Sequence, residues 1–173
     1  MKLSLFSATA LLVLGCGGSS GSESKPGPVS FTPEPQPSDD GAAIYLVGRT
    51  EGDRVIVDVM AHGVSDLHGT AFRVKWDPDA LALVDAQASS EWTKESVLLS
   101  KESLPGQLVV AWSEKGDGAG HDATQAIVLG TLVFDAKSRK GSAIAFRTDR
   151  STALDHQGKT LAVAWRSGTV PAR

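Results

Sequence analysis

Side-chain chemistry needs donors and acceptors held at fixed spacing, and this chain of 173 residues offers few such sets. Asp77 and Asp79 flank Pro78, and paired carboxylates are the equipment of glycosidic hydrolysis. The Asp-Pro-Asp order is, however, itself a turn former: proline fixes its own φ, and aspartate accepts bonds from nearby N–H groups. Residues 115–122, KGDGAGHD, gather Asp117, His121 and Asp122, which offer oxygen and nitrogen to a metal if the loop curls back on itself. The loop has neither the Gly-x-x-x-x-Gly-Lys-Ser/Thr order of a phosphate loop nor the carboxylate spacing of an EF-hand, so it reads as a flexible hairpin excursion. His62, His68 and His156 lack the ligand-pair spacing of a zinc helix or knuckle. Serines are plentiful, yet none sits in a Gly-x-Ser-x-Gly elbow between strand and helix. No catalytic residue, cofactor or metal is assigned, and the expectation is a protein that is not an enzyme.

The elements that would position any site are short strands. Val55, Val57 and Val59 alternate with Ile56, Asp58 and Met60, a period of two rich in β-branched residues. Beyond a polar connection over 62–69, Phe72, Val74 and Trp76 alternate with Arg73 and Lys75, giving one apolar face and one charged face in water. The Asp-Pro-Asp corner follows, and Leu81, Leu83 and Val84 re-enter the core. Residues 97–99 read as a brief strand, and Leu104-Pro105-Gly106-Gln107 as a turn. Residues 108–112, LVVAW, form a strand whose parity sets Leu108, Val110 and Trp112 on one face. In QAIVLGTLVFDA, residues 125–136, Val128, Leu132 and Phe134 share parity with Gly130, which admits a close neighbour or marks a bulge. A return strand at 143–147, a polar excursion at 149–158, a closing strand at 161–165 and a frayed end at 168–173 complete the domain. Turn signals every 8 to 12 positions and no long helix define an all-β, two-sheet sandwich of about nine strands with a single core.

The run VIVDVMAHGVSDLHGTAFRVKWDPDALALVDAQAS resembles the first half of a cohesin-like domain: a valine-rich strand, a short loop, glycine, an aromatic-x-hydrophobic-x-aromatic strand, Asp-Pro, then leucine. LVVAWSE and VLGTLVFDAK resemble its central strands. The resemblance spans roughly residues 42–163 and implies a jelly-roll-type sandwich, similar to carbohydrate-binding-module β-sandwiches, with no catalytic residue. It further implies protein recognition through one sandwich face, dockerin modules being the family's known partners.

The amino terminus gives the single cysteine its meaning. Met1-Lys2 and an apolar run to Leu14 match the h-region of a secretion signal and are short for a membrane span. The tetrad VLGC resembles a bacterial lipobox, which implies a signal peptide over 1–15 and lipidation of Cys16. Acylation by more than one chain makes attachment stable. Residues 16–41 then form the lipidated cysteine and a Gly/Ser/Pro-rich tether, a flexible joint followed by a stiffer spacer, expected to be disordered. The folded domain is expected over 42–173. Gly17, after the cysteine, lacks the retention signal of enteric lipoproteins, which makes the outer membrane the expected location, facing periplasm or cell surface.

A formal net charge of −3 gives no reason to expect nucleic acid, whose recognition needs a clustered basic face. The function expected is that of a membrane-anchored lipoprotein whose sandwich binds a protein partner in the envelope. The candidate contacts are Arg73 and Lys75, with residues of the LVVAW strand, and Trp92. Trp92 lies in a polar stretch and either folds over the edge of the core or presents its ring to a partner. The alternatives are polysaccharide binding, for which Trp92 and Tyr45 would supply paired exposed rings, and a structural subunit of an envelope secretion or motility apparatus.

Overall fold

A computed structural model of the chain describes residues 29–35, 41–92 and 95–173. Strands are numbered along the chain. One sheet runs β14 (Ala164–Arg166), β2 (Ala43–Glu51), β3 (Arg54–His62), β10 (Ile127–Ala136), β6 (Leu81–Ala88). All of its neighbours are antiparallel except β14 and β2. The facing sheet is centred on β5 (Gly69–Lys75). On one side of β5 lie β8 (Gln107–Glu114) and then β7 (Ser96–Leu104). On its other side β11 (Ser142–Phe146) and β12 (Thr152–Leu154) pair with successive halves of the same strand, separated by a single 3-10 turn at Thr148–Arg150. β13 (Thr160–Leu161) follows β12, while β15 (Gly168–Val170) and β1 (Thr32–Pro33) continue beyond β11. A separate ribbon, β4 (Val64–Leu67) with β9 (His121–Ala123), closes one end.

The alternation in the sequence is the alternation of burial. Val55, Val57 and Val59 are fully buried, as are Leu108, Val110 and Trp112 to within 1%. Phe72 sits at the centre of the aromatic core, edge-on to Trp112 at 5.2 Å and to Phe146 at 5.4 Å. Such T-shaped contacts add about 0.5–1.5 kcal/mol each beyond the apolar area they bury. Trp76 packs edge-on against Phe134 and donates its indole N–H to the Leu81 carbonyl at 3.1 Å. Between them lies the Asp-Pro-Asp corner: Asp77 Oδ1 accepts the Asp79 N–H, and the Asp77 carbonyl accepts those of Ala80 and Leu81. These carboxylates form a corner, as their spacing suggests.

Gly130 satisfies both conditions that its place in a strand implies. The ladder between β10 and β3 shifts register between Val128 and Gly130. A Cβ on Gly130 would also overlap the Trp112 ring. The bulge moves Leu129, rather than Val128, into the core, which corrects the inward placement of Val128 by simple parity.

Three boundaries also differ from expectation. The strand over 97–99 is the opening part of a nine-residue strand, β7, whose length is set by pairing with β8 rather than by apolar run. The carboxy-terminal segment is not frayed: β15 lies between β1 and β11, and Val170 is buried. The folded body begins before residue 42, because Val29 is buried in the core and Thr32–Pro33 pairs with β15. The Glu34 N–H donates to the Ser167 carbonyl, and the Ser167 N–H returns a bond to the Glu34 carboxylate. A proline at Pro33 is compatible with such a position because β1 is an edge strand.

Candidate binding face

The outward surface of the β7–β8–β5 sheet carries the candidate residues, and the register arranges them in rows. Val97, Ser113, Gly69 and Leu154 form one row; Leu99, Ala111, Ala71 and Thr152 form the next. Lys101, Val109 and Arg73 follow, and then Leu104, Gln107, Lys75 and Ala145, with a register shift before Leu104. Directly opposed residues in an antiparallel ladder point to the same side, so each row is a line of neighbouring side chains.

Small residues in the first two rows leave a hollow of about 250 Å³ bounded by Ala71, Ala111, Ser113, Leu154 and His156. Val97 and Leu99 stand on β7 at 55% and 62% exposure. Among the described residues, four of the five exposed large apolar side chains lie on this one strand, the fifth being Val84. β7 is an edge, and its backbone on the side away from β8 is unpaired in the sheet.

Arg73 and Lys75 project outward, as their alternation with Phe72, Val74 and Trp76 indicates. Lys101 joins them through tertiary pairing: Val109 is opposite Arg73 on one side and Lys101 on the other. Among the described residues none of these three cations has an ion-pair or side-chain hydrogen-bond partner. Arg147, on the adjoining strand end, differs: its Nε and Nη2 each donate to Asp149 at 2.9 Å. That two-pronged contact holds the Asp149 carboxyl below its usual range.

Trp92 is corrected. It is 2% exposed, and its indole N–H donates to the Leu67 carbonyl at 3.4 Å. Removing so large a ring from water, with its one polar atom met by a carbonyl, outweighs the polar character of its neighbours in sequence. Tyr45, weighed with it as a sugar-stacking ring, is also buried, and burial pushes its phenol pKa up. Among the described residues no aromatic side chain is among the exposed large hydrophobics, and the two rings considered for a polysaccharide face are buried.

At the far end of the face a carboxylate ties the β4–β9 ribbon to the turn that carries His156. Asp66 has a left-handed backbone, φ 57°, which aims its side chain across the end of the sandwich. Its Oδ1 accepts the Gly120 N–H at 2.7 Å and its Oδ2 contacts His156 Nδ1 at 2.5 Å. The Asp66 N–H in turn donates to Asp122 Oδ1. Asp122 is therefore a loop-closing acceptor. Among the described residues no group of three histidine, cysteine or acidic side chains is placed to hold a metal ion. Sequence order gave no sign of this cluster, because Asp66, Asp122 and His156 come from distant segments. Cys16 and the preceding apolar run lie outside the described residues, and no helix among those described is long and apolar enough to cross a membrane.

The described residues form an all-β sandwich whose β7–β8–β5 face carries exposed apolar and cationic side chains. The Cohesin domain family matches residues 43–171, and the chain belongs to that family. No curated protein matches the sequence. Among solved structures, the sixth cohesin of scaffoldin B from Acetivibrio cellulolyticus, in complex with a mutant Cel5 dockerin, is similar at a TM-score of 0.63 and 19% identity, covering 77% of this chain and 98% of that one. The cohesin CaCohA2 from Clostridium acetobutylicum gives a TM-score of 0.62 at 15% identity, covering 77% and 90%. A non-cellulosomal cohesin from the archaeon Archaeoglobus fulgidus gives 0.59 at 14%, covering 77% and 92%.

Proposed function

We propose that this protein is a lipid-anchored envelope lipoprotein whose cohesin domain captures a protein partner on the outer face of β7, β8 and β5, and that it performs no catalysis. The carrying observation is the row structure of that face: exposed Val97 and Leu99 beside a shallow apolar hollow, with Arg73, Lys75 and Lys101 in the neighbouring rows and without ion-pair partners among the described residues. Contiguous apolar surface with a polar border on an otherwise well-packed domain marks a contact surface for another protein. Family membership supports the same reading, since the similar scaffoldin cohesin was solved with a dockerin bound. A dockerin-like module is accordingly the first partner to test.

Anchoring rests on the VLGC tetrad and the single cysteine at Cys16. The outer membrane is the proposed location, with the domain held off the bilayer by the linker. Palmitate labelling of the wild type but not of Cys16→Ser is the expected result; equal labelling overturns the anchor. For the face, the domain is crosslinked in intact cells and the partner identified, then titrated in purified form against wild type and Arg73→Glu/Lys75→Glu. Loss of binding by the charge-reversed domain at unchanged thermal stability supports the face; unchanged affinity moves the interface elsewhere.

A further inference from the structure

The outward surface of the β5–β8–β7 sheet specifies the chemistry of what it binds. Arg73 and Lys101 stand on either side of Val109, about 10 Å apart at two strand spacings. Lys75 is two residues further along β5, about 7 Å from Arg73. All three project from the same side of the sheet, and no carboxylate stands in their rows. Glu102, next to Lys101 in sequence, points to the opposite side and accepts the Gly106 N–H. Among the described acids around this sheet, Asp149 is held by Arg147 and Arg150, Asp66 by Gly120 and His156, and Asp155 by the N–H groups of Gln157 and Lys159.

This concentration runs against the chain as a whole, which is net acidic at −3. Overall charge would repel an acidic partner, so only a local field can steer one to this place, and exposed charges act within a screening length of about 8 Å. The hollow over Ala71 and Ala111 lies in the row next to Arg73 and Lys101, and Leu99 ends that row on β7. Its floor is made of small side chains, so its depth suits one branched aliphatic side chain of a partner, a buried anchor with polar neighbours.

Resting on the proposed protein-binding role of this face, we infer that its partner is an acidic polypeptide that seats one aliphatic side chain over Ala71 and Ala111 and lays carboxylates along Lys101, Arg73 and Lys75. Electrostatic complementarity of this kind governs which partner is admitted and how fast it arrives.

The test lets the folded domain choose from a random library of 12-residue peptides displayed on phage, followed by affinity measurement of synthetic copies of the enriched peptides. The expected result is enrichment of net-acidic sequences containing leucine, isoleucine or valine, weakened about tenfold or more by Arg73→Glu/Lys101→Glu and weakened also by Ala111→Gln, which fills the hollow without changing charge. Circular dichroism and thermal melting confirm that both variants fold. Enrichment of neutral or basic peptides that Ala111→Gln still weakens overturns the acidic assignment and leaves the face in use. Enriched peptides indifferent to both variants, or no enrichment, overturn the assignment and the face together.

Discussion

The ring of Phe31 occupies the space that a side chain at Gly168 would take. A Cβ on Gly168 would overlap that ring, and a Cβ on Gly48 would overlap it from the other sheet. Two glycines on β15 and β2 thus form a cradle for one aromatic residue, next to the buried Val29 and the short β1–β15 pairing. The segment before the sandwich is held by this plug as well as by backbone bonds.

Gly168→Ala is therefore expected to expel Phe31 and destabilise the domain by about 1–3 kcal/mol, the usual range for added bulk in a filled site. The cost is predicted to shrink in the Gly168→Ala/Phe31→Ala double variant, since residues in contact couple by about 0.5–3 kcal/mol. A chain beginning at Val29 is expected to match the full-length midpoint in urea, and one beginning at Ala42 to unfold at lower urea. Equal midpoints for the two would show that the plug contributes nothing.

Trp92 is expected to behave as a core residue. Trp92→Ala should cost about 3–5 kcal/mol, as for other buried aromatics, measured by chemical denaturation. Trp92→Phe should cost less, retaining most apolar contact while losing the bond to the Leu67 carbonyl. A stable Trp92→Ala domain with reduced partner affinity would restore the ring to the surface.

The Asp66 carboxyl titrates below its ordinary value of 3.8, first because of the side-chain hydrogen bond with His156 and then because of the Gly120 N–H. A carboxyl depressed in the folded state contributes its full stability above the unfolded value and loses it as pH falls through the folded one. Wild type is thus expected to lose stability below about pH 4 more steeply than Asp66→Asn. In carboxyl-carbon NMR titration, His156→Ala should raise the Asp66 midpoint while leaving it under the influence of Gly120. A midpoint unmoved by His156→Ala would mean that the contact does not form in solution.

The nine exposed residues of β7, four of them large and apolar, make its free edge the place where copies of the domain would adhere. Leu99→Lys should reduce concentration-dependent self-association in sedimentation or light scattering, with thermal stability changed by less than about 0.5 kcal/mol, as expected at an exposed site. Unaltered association would place any self-contact at another edge.

The strand alternations at Val55–Val59, Phe72–Trp76 and Leu108–Trp112, the Asp-Pro-Asp corner and the outward set of Arg73 and Lys75 follow from the amino-acid sequence by itself. Each depends on neighbours one or two residues away, and the period of two transmits burial directly into residue type. What only the tertiary structure decided depends on pairing between distant segments. Ladder partners lengthen β7 and place Lys101 beside Arg73; core volume draws in Trp92; a bulge trades Val128 for Leu129; and two glycines far apart in the chain meet over Phe31. Local pattern cannot encode these outcomes, because each is fixed by which strand lies alongside and by the space left between the sheets.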